Sequence, residues 1–135
     1  MTLRNTMVQL VDYRDLEGII DTNKNFACSD LDMIYERNGK FLIGEWKKDG
    51  ENISKGQEIL LKALANTPNF IVLVITGYSE NTKLIVKKIR LMKKNGEFQM
   101  KYEYDDLFDD KIENGVKALT EIIQTWYKWA DNVQK

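Results

Sequence analysis

The alternation of apolar and polar positions divides the chain into eight segments. Residues 5 to 21 set Met7, Leu10 and Val11 at helical spacing and close on Ile19-Ile20, which predicts a first helix. "SDLDMIYERNGKFLIGEWKK", residues 29 to 48, predicts two strands around Asn38-Gly39, a pair that tolerates the positive φ of a tight hairpin turn. "KDGENIS" is a loop. Ser54 then stands as an N-cap, with Gln57 at the third helical position as in a capping box. The helix "KGQEILLKALANT" carries Ile59, Leu60, Ala63 and Leu64 on one side and stops near Pro68, the only proline. "NFIVLVITGYS" is a continuous β-branched run ending in glycine, as expected of a buried central strand. The helix before it permits a strand-helix-strand crossover, and so a parallel pairing. "TKLIVKKIRLMKK" fits strand or helix; Asn95-Gly96 and the alternating "EFQMKYEY" after it favour a second hairpin. Ile112, Val116, Leu119, Ile123, Trp126 and Ala130 then form one apolar stripe on a last helix of about six turns, capped by Asp109 or Asp110. The order α-β-β-α-β-β-β-α predicts an α/β fold, a mixed central sheet flanked by helices, in a single domain spanning 1–135.

The first hairpin has a definite register. Counting outward from Asn38-Gly39, Arg37 faces Lys40, Glu36 faces Phe41, Tyr35 faces Leu42, Ile34 faces Ile43 and Met33 faces Gly44. Asp32 then faces Glu45, and Asp30 faces Lys47. Side chains alternate, so Asp32 and Ile34 share a face with Ile43, Glu45 and Lys47. Opposed Cβ atoms lie roughly 4.5 to 5.5 Å apart, and like charges so placed are destabilising. Two settings tolerate the pair: a wet surface, or a cation between the carboxylates. Ile34 and Ile43, next along that face, argue for burial. Both hairpin strands are apolar on both faces, which predicts a central, covered position.

Composition narrows the chemistry. The chain has no histidine and a single cysteine, Cys28. Histidine triads and a tetrahedral zinc site within one chain are therefore excluded, and any metal is expected to be a hard cation held by oxygen. Cys28 reads as structural, because no histidine exists to activate it. A phosphate loop fails too, since Glu45-Trp46 stands where Lys-Ser/Thr would follow Gly44. The formal net charge of −1 gives no overall attraction to nucleic acid. One local cluster is basic: Lys83, Lys87, Lys88, Arg90, Lys93 and Lys94, with no acid between them. It could track a phosphate backbone or guard an exposed edge strand. No apolar run approaches the ~18 residues of a membrane span, and no leader pattern opens the chain, so a cytoplasmic setting is expected.

Two carboxylates at one sheet position can share Mg²⁺, which typically takes one or two carboxylates plus waters and substrate phosphate. Lys47 lies on the same face, about 7 Å along the strand. Its ammonium could neutralise charge developing on a phosphate, or it could pair with Asp30. Acid, acid and lysine around one cation suit phosphodiester hydrolysis without histidine.

Asp32, twelve intervening residues and then Glu45-Trp46-Lys47 resemble the signature of the PD-(D/E)XK nuclease superfamily. The spacing is most similar to archaeal Holliday-junction-resolvase-like members. The text "SDLDMIYERNGKFLIGEWK", followed by a helix with "GQ", also resembles small phage nuclease-like proteins. The resemblance covers about the first half of the chain; Leu31 stands where many members have proline. It implies a restriction-endonuclease-like core and a Mg²⁺-dependent nuclease acting on DNA through a metal-activated water, with Mn²⁺ as a substitute. By that resemblance Asp32 and Glu45 are metal ligands, Lys47 is the catalytic lysine and Gln57 an auxiliary catalytic residue. Glu17 is the nearest candidate for an extra acid from the first helix, with Asp12 and Asp15 as alternatives. The basic residues from Lys83 to Lys94 become candidate DNA contacts, and a homodimer would suit a two-fold substrate. Abundant Lys, Asn and Ile suit an AT-rich genome, such as a phage acting in its host's cytoplasm. The alternative is a nuclease-fold module that binds DNA or a protein partner without cutting.

Overall fold

The computed structural model describes residues 14–26, 31–108 and 111–132. The chain divides into two compact units, Met1–Asp30 and Leu31–Lys135. Among the described residues of the first, a 3-10 turn spans Arg14–Leu16. The Glu17 amide donates to Arg14 O at 3.1 Å, and Gly18 then takes a φ of 69°, which ends the turn. The helix expected over 5 to 21 therefore does not extend through 14 to 21. Met7, Leu10, Val11 and Asp12 lie outside the described residues, as do Cys28 and Asp30.

The second unit holds β1 (Met33–Arg37), β2 (Lys40–Lys47), α1 (Lys55–Ala65), β3 (Phe70–Glu80), β4 (Lys83–Met92), β5 (Phe98–Glu103), a 3-10 turn (Asp106–Phe108) and α2 (Glu113–Asp131). The strands form one sheet in the order β1-β2-β3-β4-β5. β2 and β3 are parallel, joined by the α1 crossover, and the other three pairings are antiparallel. The unit is thus α/β with a mixed sheet. The β1–β2 register runs from Arg37↔Lys40 to Met33↔Gly44, as the turn predicts. Asn38 and Gly39 both have positive φ, 53° and 76°. That geometry matches the right-handed twist of the flanking strands, and it is why this dipeptide sets the register.

Each helix covers one sheet face. Leu42, Leu73, Ile75, Val86 and Ile89 pack with Leu119, Trp126 and Ala130 of α2. Ile43, Val72, Val74 and Met92 pack with Leu61 and Ala65 of α1. The strand period of two sends alternate residues to these two cores.

The structure departs from several sequence expectations. β1 is an edge strand, not a central one, and Ile34 is 53% exposed. Only β2 of that hairpin is deeply buried. Gly77 does not end β3; the strand bulges between Thr76 and Gly77 and continues to Glu80. It then reverses through Asn81-Thr82, both at positive φ (49° and 65°). A β-branched threonine is unfavourable there, so no familiar turn pair marks the reversal. β4 lies inside the sheet, so its lysines do not guard an edge. On α1 the buried side is Leu61 and Ala65, while Ile59 is 61% exposed. α2 begins at Glu113 with Ile112 in the cap position and no side-chain cap bond. The expected caps Asp109 and Asp110 lie outside the described residues.

Candidate active site

The site forms where the buried strand β2 runs under the first turn of α1. Residues alternating along β2 put Glu45 and Lys47 on the α1 face, in line with Ile43. Both are almost fully buried, at 6% and 7% exposure. Two charged side chains are seldom buried unless they are paired and hydrogen-bonded. Gln57 supplies the pairing. Its Nε2 donates to Glu45 Oε1 at 2.8 Å, and its Oε1 accepts from Lys47 Nζ at 2.5 Å. Lys47 Nζ also lies 3.8 Å from Glu45 Oε1. A primary amide offers a donor to the carboxylate and an acceptor to the ammonium in one side chain.

Gln57 is held there by the start of its helix. Its backbone amide donates to Ser54 Oγ at 3.2 Å, and its Oε1 accepts weakly from Ser54 N at 3.4 Å, completing the capping box. Gln57, Leu61 and Ala65 recur at steps of four, one above the other on the helix. The side that buries Leu61 and Ala65 therefore also aims Gln57 at the sheet. A stripe on Ile59 and Ala63 would have turned Gln57 away. Ser54→Ala should cost about 1 kcal/mol of stability by urea denaturation. It should also loosen Gln57; an unchanged urea midpoint would contradict this role for the cap.

Asp32 lies one step beyond the Met33↔Gly44 pair, and so opposite Glu45. Its Oδ2 accepts from the Trp46 amide at 2.9 Å. The Glu45 pKa is pushed above the ordinary carboxylate value. Burial is the largest cause and the charge of Asp32 the next, and the Lys47 ammonium opposes both. The site thus gathers two neighbouring carboxylates, one of them buried, with a buried ammonium and a primary amide.

The structure brings Asp32, Glu45, Lys47 and Gln57 together. Glu17 and Asp15 belong to the other unit, where both are exposed. The pairing of Lys47 with Asp30 falls outside the described residues. The basic run is dispersed. Lys83 is exposed at the start of β4, and Lys93 and Lys94 lie in the β4–β5 loop, where Lys94 O accepts from Asn66 Nδ2 at 2.7 Å. Lys87 bonds Asp49 at 3.4 Å and lies over the Tyr78 ring. Lys88 pairs with Glu103 at 3.7 Å, and Arg90 stacks over Phe98 at 4.6 Å. Sequence reasoning missed Thr76, a buried hydroxyl residue directly beside Lys47 in the parallel register. The only signal for it was a lone polar residue at the end of "FIVLVIT".

Among the described residues, no group of three or more His, Cys, Asp or Glu side chains is gathered for a metal. A cation at this site would have the two carboxylates of Asp32 and Glu45, a donor set that suits Mg²⁺ with water and phosphate completing its shell. Burial and then the neighbouring Asp32 charge push the Glu45 pKa up, and a cation held between the two carboxylates would oppose both effects. Among the described residues no helix is long and apolar enough to cross a membrane. Comparison with protein-family models, curated proteins and solved structures gave no match.

Proposed function

We propose that this chain is a Mg²⁺-dependent nuclease of the PD-(D/E)XK type that hydrolyses phosphodiester bonds in DNA. The observation that carries the reading is the bonded set Glu45–Gln57–Lys47 with Asp32 opposite. Burying an acid and a lysine together, with an amide spanning them, is costly for a surface ornament and useful for a site that must hold charge in a fixed place. Asp32 and Glu45 would hold the cation. When bound, a divalent cation supplies Lewis acidity toward a phosphoryl oxygen and acidifies water. Lys47, fixed by Gln57, places a positive charge beside the phosphate and offsets the negative charge that develops there. Gln57 positions both groups and keeps Lys47 from collapsing onto Glu45, which lies 3.8 Å away. Mn²⁺ would substitute for Mg²⁺, with the same oxygen donors.

The test is direct. Purified protein is incubated with supercoiled plasmid, linear duplex, single strands and a four-way junction, in Mg²⁺ and in Mn²⁺, beside an Asp32→Ala/Glu45→Ala variant. Cleavage by the wild type alone is expected. Binding without cleavage in either metal would instead leave the non-cutting module as the better account. A melting temperature unmoved by either metal would remove the cation site altogether.

A further inference from the structure

Two rows of side chains cross the sheet from the candidate site. The registers β2–β3 and β3–β4 align Glu45 with Val74 and Arg90, and Lys47 with Thr76 and Lys88. Partners directly opposite in a ladder point to the same face. Lys88 and Arg90 therefore face the α1 side, as Glu45 and Lys47 do, while Ile89 between them packs with the α2 core. Adjacent strands lie about 4.8 Å apart, so Lys88 stands two strand spacings, about 10 Å, from Lys47. Lys88 and Arg90 are about 7 Å apart along β4.

Both cations lack a strong partner. Lys88 meets Glu103 at 3.7 Å in a pair whose side chains are both at least one-third exposed, an arrangement that contributes little. Arg90 has no carboxylate partner among the described residues. It rests on the Phe98 ring, and its buried Nε has no hydrogen-bond partner. A half-buried guanidinium without an anion is costly, and a phosphate would relieve that cost through the geometry arginine matches best. The other four cations of the run lie off these rows: Lys87 is the unpaired residue where the β3–β4 register shifts, Lys83 opens β4, and Lys93 and Lys94 follow its end.

We propose that Lys88 and Arg90 form a second phosphate subsite, so that a polynucleotide strand crosses the sheet from β2 toward β4. The inference rests on the nuclease reading and adds to it the path of the substrate. A phosphate one or two nucleotides from the scissile one would contact Lys88, with Arg90 completing the cradle. The strand would then run across the ladder rather than along β2.

The experiment compares wild type, Lys88→Gln, Lys88→Arg and Arg90→Lys with Lys83→Gln as the off-row control. Anisotropy of a labelled oligonucleotide in Ca²⁺ is measured across a salt series, and cleavage is measured in Mg²⁺. Lys88→Gln should weaken binding about fivefold and lower the salt slope by about one, the loss of one phosphate contact. Lys88→Arg should restore both, and Arg90→Lys should weaken binding without changing the slope. Lys83→Gln should match the wild type. Lys88→Gln indistinguishable from Lys83→Gln, in a wild type that cleaves, would overturn the subsite and leave the nuclease reading standing. A wild type that neither binds nor cleaves would take down both.

Discussion

Glu45→Gln should abolish cleavage and yet give a protein at least as stable as the wild type without metal. The loss of activity should be on the order of 10³-fold or more, the scale of removing a principal charge-stabilising group from a site. The gain in stability follows from the upward Glu45 pKa. Burial and Asp32 disfavour the charged form more than Lys47 favours it, so the fold prefers the neutral side chain. The glutamine isostere supplies that neutral form at every pH. The stabilisation tied to a neutral Glu45 is fully present below its unfolded pKa, near 4.5, and is lost as pH rises through the raised folded value. Metal-free wild type should therefore gain stability relative to Glu45→Gln as pH falls from 7 toward 5. Excess Mg²⁺ should raise the wild-type melting temperature and leave that of the variant unmoved, because a ligand stabilises only the state that binds it. Melting curves across that pH window, in EDTA and in Mg²⁺, read both effects. A variant that melts well below the wild type in EDTA would mean that Glu45 is a structural ion-pair partner of Lys47 and not a ligand in waiting.

This opposition between stability and activity also shows what the sequence could and could not convey. The hairpin register was legible because it depends on two adjacent residues, Asn38 and Gly39, whose positive φ admits few alternatives. It brought Asp32 to Glu45 from sequence alone. The parallel β2–β3 pairing was legible because a helix separates the two strands. What failed depended on neighbours distant in sequence. Whether β1 is central or at an edge is decided by what lies beyond it in space, and no local pattern carries that. The α1 stripe failed because "EILLKALA" is apolar enough to fit two faces, and the choice is made by Leu61 meeting the β2–β3 core. Thr76 was hidden because one hydroxyl in an apolar run looks like a strand end until Lys47 is seen beside it. Gln57 fits a cap by its position and a site residue by resemblance, and one side chain fills both places.

Gly115→Ala should be among the most damaging single changes available, although alanine is the better helix former. A Cβ at Gly115 would overlap Val86 O and lie 2.8 Å from Val86 C, with β4 backbone rather than a movable side chain in the way. α2 rests on the sheet at this point, and Leu119 follows one turn later on the same buried side. To admit the methyl group, the start of α2 must lift off β4. That would expose part of the core shared by Leu119, Val86 and Ile89. Overpacking against a rigid neighbour costs about 1–3 kcal/mol, and more where backbone must move. The intrinsic helix gain of about 1 kcal/mol cannot offset it. We therefore expect a loss of about 3 kcal/mol in urea denaturation, or failure to fold. Gly56→Ala is the matched control: it too is helical, and nothing lies within 4 Å of its added Cβ. That change should stabilise by roughly 0.5–1 kcal/mol, through propensity alone. Equal effects at the two glycines would contradict the close approach of α2 to β4. Because α2 covers the sheet face opposite Glu45 and Lys47, any Gly115→Ala protein that does fold should retain metal-induced stabilisation, which separates damage to the scaffold from damage to the site.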